Sequence, residues 1–468
     1  MADHRKPGLS LALLALAQLI FALDLNIVFV ALPDIGAELG FTSQTQQWVV
    51  SAYVVLAGGF LLLGGRAADL LGRRRMFVLA LATYAVSSLA GGLATSSEVI
   101  IIARAVQGIG GALLLPSTLS LLNNLFEEGR KRNRALAVWG GAGASGLTVG
   151  ALLGGVLTES FGWPAVFFVN VPLAGAVALA ALAVIPADPR GHERRKFDLP
   201  GALTVTAGAT LLVFVLVQGP EVGWTSPAVL VAAVLAVLLL IAFALIEARS
   251  ADPLMPPRLL RNRSLVVAIT VTAVFMGTFG ALPYFLTVLL QTVHQFSALQ
   301  AGLAFLVPSL AIASGTQLGE RMATRLGVRA TLITGFSIGI VGTVVLAFAF
   351  DAQSTFMASV PGLVVMGVGQ GITWTAMWIA AASGVADHEQ GVASGLASTT
   401  LNLGNAVGLA VLIAVANAGV PEGEAARAAT ADGGFVAVLL TSVGMVVGLL
   451  VAFALPRQVA VAKEPVPA

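Results

Sequence analysis

The sequence predicts an all-α membrane protein with 14 transmembrane helices, arranged as two six-helix bundles with two helices inserted between them. Three observations predict this fold: the apolar composition, the positions of the Lys and Arg residues, and an internal repeat. Of the 468 residues, 57% are hydrophobic and only 10% are charged, whereas soluble domains are about 25% charged. So few charges do not cover the surface of a soluble protein of this size, and the composition therefore disfavours a soluble enzyme.

Fourteen apolar stretches are each long enough to cross the roughly 30 Å hydrocarbon core of a bilayer, where only helices or closed barrels satisfy the backbone. They cover residues 10–32, 47–64, 76–94, 99–122, 136–157, 164–186, 199–218, 227–247, 265–290, 299–318, 330–350, 357–381, 392–419 and 435–455. The first stretch follows two basic residues, as in a signal peptide, but it is longer than a typical signal-peptide core and carries Asp24. We therefore expect it to be kept as the first span.

The Lys and Arg residues fall almost entirely on one side of the predicted membrane. Of the 25 such residues, all but two lie in the tails and loops of that side; Arg104 lies within a span and Arg427 in a loop of the other side. Short basic loops face the cytoplasm, so both termini are predicted to be cytoplasmic. With one span fewer, the later loops would lie on the opposite side of the membrane and the basic residues would no longer share one side. The same pattern therefore supports 14 spans in the inner membrane.

Two short basic loops form an internal repeat. Gly65–Arg75 (GRAADLLGRRR) follows the second span, Glu320–Arg329 (ERMATRLGVR) follows the tenth, and Gly72 aligns with Gly327. The predicted units are an N-terminal six-helix bundle, a linker with two inserted helices and a C-terminal six-helix bundle, at residues 1–190, 191–263 and 264–468. Two repeats that meet at a central site are typical of alternating-access transporters. The alternative is that any short inner loop is rich in Gly and Arg.

Several chemistries have no support in the sequence. The chain has no Cys and only four His, and these lie far apart in tails or loops, so we expect no metal and no thiol chemistry. No phosphate-binding loop of the G-x-x-x-x-G-K-[ST] type is present, so ATP is not expected to be the energy source. We predict no cofactor, no enzyme activity and no nucleic-acid partner.

Four segments carry recognisable motifs. Leu23–Pro33 reads LDLNIVFVALP, Gly65–Arg75 contains the loop pattern given above, Arg104–Ala112 reads RAVQGIGGA and Gly162–Pro172 reads GWPAVFFVNVP. Together they resemble the major facilitator superfamily, and most closely its family of fourteen-span drug:proton antiporters. The resemblance covers nearly the whole chain, and it implies a monomer that exchanges an organic compound for protons across the lipid bilayer.

The sequence departs from that family at several positions. Asn26 stands in place of a Thr and Phe29 in place of an Asn, and Thr324 occupies the acidic position of the second loop. The glycine motif of the fifth span lacks its proline, which leaves the direction of transport open, and the sixth span lacks the motif's arginine.

Asp24 and Arg104 are the charged residues that stand out within apolar spans. An intramembrane acid is costly and is functional by default, and burial favours its neutral form, so Asp24 is predicted to couple proton movement to conformational change. The alternative is a neutral carboxyl group that serves packing. Arg104 stays charged and needs a partner, either Asp24, a polar cluster or an anionic substrate; the alternative is that it reaches the outer surface.

The first copy of the repeated loop is predicted to form a conformational latch on the inner side, as the resemblance implies. The latch residues are Gly65, Asp69, Gly72, Arg73, Arg74 and Arg134. Asp69 is the lone acid of this basic loop, and it is predicted either to cap a helix or to pair with Arg134. The alternative is a solvated surface charge.

Two further groups of residues are predicted from spacing and chemistry. Small residues on one helical stripe of the fifth span allow close helix packing or a sliding interface; these antiporter-type glycines are Gly146, Gly150, Gly154 and Gly155. Aromatic and amide side chains suit an amphipathic organic molecule, although lipid-facing or packing roles fit them equally. The substrate candidates are Asn26, Tyr53, Gln107, Tyr284, Gln370, Trp374, Trp378, Asn402 and Asn405.

We therefore predict a proton-coupled exporter of a lipophilic or amphipathic organic compound. Two alternatives remain open: uptake or facilitated diffusion of a small polar solute, and a non-transporting membrane receptor or lipid-handling protein.

Overall fold

In the computed structural model, the structure describes residues 7–41, 43–46, 48–188, 198–250, 259–296, 298–386, 389–416 and 426–456, and all regular structure in these ranges is helical. The helices are α1 (Pro7–Glu38), α2 (Ser43–Gln46), α3 (Trp48–Leu71), α4 (Arg73–Gly92), α5 (Ser97–Leu125), α6 (Arg130–Phe161), α7 (Pro164–Phe168), α8 (Asn170–Val184), α9 (Leu199–Val222), α10 (Pro227–Glu247), α11 (Arg263–Thr278), α12 (Leu282–Thr287), α13 (Ala298–Ala304), α14 (Leu306–Leu326), α15 (Val328–Ala347), α16 (Phe356–Ala382), α17 (Gln390–Ala416) and α18 (Ala426–Ala452). A 3₁₀ turn, Leu259–Arg261, precedes α11, and a π-helical segment, Val288–Val293, follows α12.

Thirteen stretches of the described chain are long and apolar enough to cross a membrane. They confirm the predicted helical membrane fold and coincide with all the predicted spans except the fifth. That span lies on α6, a continuous helix whose 32 residues are enough to cross the bilayer. The count of 14 and the cytoplasmic termini therefore stay predictions. The basic residues of segments 1–6, 189–197 and 457–468, with Arg258, lie outside the described residues.

Three predicted spans are not continuous helices, and each is interrupted shortly before a proline, whereas α5 and α16 each contain a proline without a break. The sixth span breaks at Val169, the ninth at Phe279–Ala281 and the tenth at Phe305. Each break begins three or four residues before the proline that follows it, Pro172, Pro283 or Pro308. Proline lacks the N–H that would bond the carbonyl four residues earlier, and its ring collides with that carbonyl.

The repeated loops share a backbone conformation. Gly72 separates α3 from α4 with φ +104°, and Gly327 separates α14 from α15 with φ +83°. Side-chain-bearing residues rarely adopt such angles, so the aligned glycines allow one tight turn at both places.

The helices before the inserted pair form a first group and those after it a second group. Each group packs mainly within itself, and the two groups meet at two helix–helix interfaces. Within the first group α1 packs on α6, and α5 on α3 and α4; within the second, α16 packs on α14 and α15, and α11 on α17. The contact of α3 with α17 is called the first seam here, and that of α6 with α14 the second seam. The inserted helices α9 and α10 pack on each other, and α9 also contacts α3 and α17. The predicted division into three units agrees with this packing and stays a prediction.

Candidate functional site

The carboxylate of Asp24 lies inside the first group of helices. Asp24 is 0% exposed and sits beyond the middle of α1, where its side chain meets polar groups from α5 and α8. Within the described residues, the hydrogen bonds to its carboxylate come from these two neighbouring helices.

Three side chains donate hydrogen bonds to this carboxylate. Arg104 Nη1 lies 2.7 Å from Asp24 Oδ2, while Gln107 Nε2 and Asn170 Nδ2 lie 2.9 and 2.7 Å from Oδ1. Gln107 also accepts a bond from Arg104 and donates one to Ser88 of α4. These residues, with Asp24, form what we call the coupling cluster: Asp24, Ser88, Arg104, Gln107 and Asn170. Their donors suit an ionised carboxylate, because each N–H points at an oxygen that accepts.

Arg104 joins the coupling cluster to α3. It is 1% exposed, its Nε donates to the carbonyl of Val49 at 2.9 Å, and its guanidinium lies 4.4 Å from the centre of the Tyr53 ring. The structure thus places Tyr53 and Gln107 beside the predicted proton site rather than beside the other substrate candidates. Removing one partner of a buried ion pair costs about 3–5 kcal/mol, because the other charge is left uncompensated.

Asp69, on the last turn of α3, binds the start of α17 across the first seam. Its two carboxylate oxygens accept bonds from the backbone N–H groups of Gly391 (3.1 Å) and Val392 (2.9 Å), where the helix dipole favours an anion. Arg73 Nη2 lies 3.7 Å from the same carboxylate. Of the two predicted roles, the structure shows the helix cap, whereas Arg134 is exposed at the start of α6.

Other predicted latch residues shape the surroundings of Asp69. A Cβ on Gly65 would overlap the carbonyl oxygen of Gly391, so the α3 and α17 backbones touch. A Cβ on Gly72 would overlap Asp188, which accepts bonds from the first N–H groups of α4. Arg74 donates to two carbonyls near the end of α8. Gly72 and Arg74 therefore hold the first group of helices together, while Gly65 and Asp69 reach the second.

The glycine stripe of α6 packs against α1 on both sides of Asp24. Cβ atoms on Gly146 and Gly154 would lie 2.7 and 3.0 Å from the carbonyl oxygens of Leu19 and Ile27, and one on Gly150 would overlap that of Leu23. Gly155 has open space around it. The stripe is therefore a close contact within the first group of helices.

Trp374 and Trp378 meet Trp139 of α6 at the contact of the two groups. The Trp139 ring centre lies 6.2 Å from that of Trp374 and 5.6 Å from that of Trp378, and Phe275 packs on Trp374 at 5.6 Å. We call Trp139, Trp374 and Trp378 the indole cluster.

The remaining substrate candidates are dispersed. Tyr284 is 42% exposed and packs edge-on to Phe285, and Asn402 donates to the carbonyl of Ser398 in its own helix. Asn26, Gln370 and Asn405 are partly buried, and no hydrogen bond within the described ranges joins these three amides.

Four residues of these arrangements were missed by the sequence predictions, among them Ser88, one of several hydroxyl residues in the spans. Asn170 is a polar residue within an apolar span just before a proline, a pattern that marks it for attention. In the sequence, Trp139 has the pattern of an ordinary core residue, and Asp188 has that of an ordinary acidic residue in a loop. Their importance comes from partners distant in sequence, Trp374 and the start of α4.

Comparison with known proteins identifies the family. The profile of the Major Facilitator Superfamily matches residues 14–409. A puromycin resistance protein of Streptomyces alboniger is 35% identical over 447 residues, covering 93% of this chain and 88% of that protein. A cephamycin export protein of Amycolatopsis lactamdurans is 37% identical over 458 residues, covering 95% and 93%. A lincomycin resistance protein of Streptomyces lincolnensis is 32% identical over 418 residues, covering 88% and 85%.

Solved structures show the same fold. The human organic anion transporter matches with a TM-score of 0.69 at 18% identity, covering 95% of this chain and 99% of that one. A proton:xylose symporter matches with a TM-score of 0.68 at 14% identity, covering 96% and 95%. The family profile and the relatives named above confirm the resemblance found in the sequence motifs. The chain belongs to the major facilitator superfamily and is a multi-pass inner-membrane transporter, not an enzyme.

Proposed function

We propose that this transporter exports a lipophilic or amphipathic organic compound in exchange for protons, by alternating access. The observation that carries the proposal is the coupling cluster, in which one buried acid holds three helices through Arg104, Gln107 and Asn170. Addition of a proton to Asp24 removes the charge that holds these donors, and loss of the proton restores it.

Protonation of Asp24 weakens the attachment of α1 to α5 and α8. Neutral Asp24 no longer balances the charge of Arg104, whose remaining acceptors are the Val49 carbonyl and Gln107. Because a buried unpaired charge is costly, Arg104 moves towards water or other acceptors when Asp24 becomes neutral. A proton from the outside thereby favours a different arrangement of the first group of helices.

Two helices extend from the coupling cluster to the contacts between the groups. Helix α6 packs on α1 beside Asp24 through Gly146 and Gly150, and it carries Trp139. Helix α3 binds Arg104 through the Val49 carbonyl and binds α17 through Asp69, about 30 Å further along the helix. A change in the charge of Asp24 therefore acts on both seams.

The direction of transport rests on the relatives and on energetics. Two relatives are named for resistance to puromycin and lincomycin, and one for export of a cephamycin. An inward-directed proton gradient supplies the energy for export, since one charge crossing 100 mV is worth about 2.3 kcal/mol.

The proposal is tested by substrate-driven proton release from acid-loaded, inverted membrane vesicles. Puromycin, a cephamycin and lincomycin are the first probes. We expect at least one to release protons from the parent vesicles, and Asp24→Asn to abolish this release. Asp34→Asn, an exposed acid on the same helix, is the matched control and keeps it.

A second variant separates coupling from folding. Asp24→Asn leaves Arg104 without a counter-ion, so the double variant Asp24→Asn with Arg104→Gln is also tested. We expect the double variant to recover the expression and thermal stability of the parent but not the proton release. Gradient-driven transport by either variant at the rate of the parent would overturn the role of Asp24. A fall of the probe inside cells after the gradient is dissipated would instead favour uptake.

A further inference from the structure

The rings of Trp139 and Trp374 face each other across the contact of the two groups of helices, and the space between them is called the slot here. Trp139 and Trp374 are nearly parallel, with 13° between their planes, and Trp378 stands edge-on to both, with interplanar angles of 88° and 77°. Trp139 belongs to the first group, while Trp374 and Trp378 lie one turn apart on α16 of the second. The cluster therefore has two parallel walls from opposite groups and a third ring that closes one edge.

The ring N–H groups of this slot have no acceptor. The Nε1 atoms of Trp139, Trp374 and Trp378 are all buried, and within the described part of the chain no oxygen accepts from them. Trp139 is 0% exposed and Trp378 is 3% exposed. Buried Trp N–H groups usually have a partner, and leaving one unpaired costs free energy. Three unpaired donors in one place indicate a site whose acceptors come from a bound molecule.

The two helices that carry the three indoles have no charged residue beside them. Helix α16 has no charged residue, and α6 has none between Ala135 and Thr158. The rings that contact cations in the described residues are those of Tyr53 and Phe453, not the three indoles. A charged ligand would lose its hydration here and find no counter-ion on either of these two helices, which is unfavourable.

We propose that the indole cluster binds a flat, uncharged aromatic compound with carbonyl-type acceptors, and that such compounds are the substrates of the export proposed above. A ring placed between two indoles needs about 7 Å between their planes, twice the carbon contact distance. The walls belong to different groups of helices, so separation of the groups widens the slot and their return closes it. In the structure the two ring centres lie 6.2 Å apart, too close for another ring to enter.

The test is equilibrium binding to the full-length protein in lipid nanodiscs without a gradient, followed by quenching of Trp fluorescence. The probes are anthraquinone and anthracene, which share a flat shape but differ in two carbonyl acceptors, and ethidium, which is flat and cationic. We expect anthraquinone to bind about tenfold more tightly than anthracene, and ethidium to bind more weakly than anthraquinone. Tighter binding of ethidium would overturn the proposal.

Variants separate the contribution of the rings from that of their N–H groups. The double variant Trp139→Phe with Trp378→Phe keeps an aromatic ring at all three positions but removes two of the three N–H donors. We therefore expect the preference for anthraquinone over anthracene to fall to about twofold. Trp139→Leu removes a wall, and we expect it to weaken both neutral probes about tenfold. Trp224→Phe, at an exposed Trp before α10, is the control and leaves all three affinities unchanged.

Unchanged anthraquinone binding in both cluster variants would overturn the proposal, provided that their helix content matches the parent. This measurement uses no gradient, so its failure leaves the proton coupling of Asp24 standing. Conversely, if no compound drives proton release, the proton-coupling proposal fails, and the binding measurement still decides whether the indole cluster binds such compounds.

Discussion

The two seams occupy related positions in the internal repeat but are built with different strength. At the first seam the Asp69 carboxylate accepts two backbone bonds from the start of α17. At the second seam Thr324, the residue that aligns with Asp69, accepts one bond of 3.1 Å from the Asn133 amide at the start of α6. Charge-assisted bonds are roughly twice as strong as neutral ones. The same turn thus supports a charged contact on one side and a neutral contact on the other.

The backbones and the inserted helices add to this difference. The Gly65 and Gly391 backbones touch at the first seam, whereas a Cβ on Gly141 at the second would lie 3.6 Å from Thr316. The first seam is also covered by α9, where Phe214 stacks on Trp48 of α3 with ring centres 6.0 Å apart. The first seam is therefore the more firmly closed, and we expect the second to open more readily.

The largest expected effect is that of Gly65→Ala. The added methyl group overlaps the Gly391 carbonyl oxygen, and neither backbone has a flexible side chain that could move away. Overpacking of this kind costs about 1–3 kcal/mol, so we expect the closed first seam to be disfavoured and proton-coupled transport to fall about tenfold or more. Spin labels at Leu71→Cys and Ala386→Cys, both exposed, measure the separation of α3 from α17.

The chain offers a matched control for this variant. Gly155→Ala adds the same methyl group to a glycine with open space around it, and we expect parental transport. The labels need no prior removal of native thiols, because the chain has no Cys. An unchanged distance distribution in the Gly65→Ala protein would show that the backbone contact does not determine closure of the first seam.

A smaller effect is expected for Asp69→Asn. The amide keeps the shape of the carboxylate but offers one acceptor oxygen without charge, so at least one of the bonds to α17 is lost. Hydrogen bonds to charged groups contribute about 1.5–3 kcal/mol, against about 1 for neutral ones. We expect transport to fall about fivefold and the distance between the first-seam labels to increase.

Asp188→Asn is the control for loss of a helix-capping acid. Asp188 also accepts two backbone bonds, but it caps α4 within the first group of helices. We therefore expect a comparable loss of thermal stability with an unchanged first-seam distance. If both variants widened the first seam equally, Asp69 would act through general stability rather than as a latch.

The sequence was sufficient to find the parts of these sites that are unusual for a membrane helix. Asp24, Arg104 and Asp69 were predicted because charge is costly or conspicuous where they lie, and the aligned loop glycines because the motif repeats. The three interrupted spans also had a visible signal, since each contains a proline near the break. Local chemistry made these features predictable.

The partners of those residues were not predictable, because they depend on how distant helices face each other. Gln107 was assigned to substrate binding as a buried amide, yet it bonds Asp24 of another helix. Trp139 had no distinguishing sequence signal, and its role follows from its contact with Trp374 more than 200 residues away. Hydropathy patterns show which segments cross the membrane, and not which faces meet.

The smallest effect is expected for Thr324→Ala at the second seam. This change removes the neutral bond from Asn133 across the seam, worth about 0.5–1.5 kcal/mol, and a long exposed bond of 3.4 Å to Glu320 within α14. We therefore expect transport to change less than about threefold, and labels at Lys131→Cys and Leu326→Cys to show a modest widening of the second seam alone. Thr334→Ala, which removes a hydroxyl bonded within its own helix, is the control. If Thr324→Ala reduced transport more than Asp69→Asn does, the neutral contact at the second seam would limit closure, and the first seam would not be the more firmly closed.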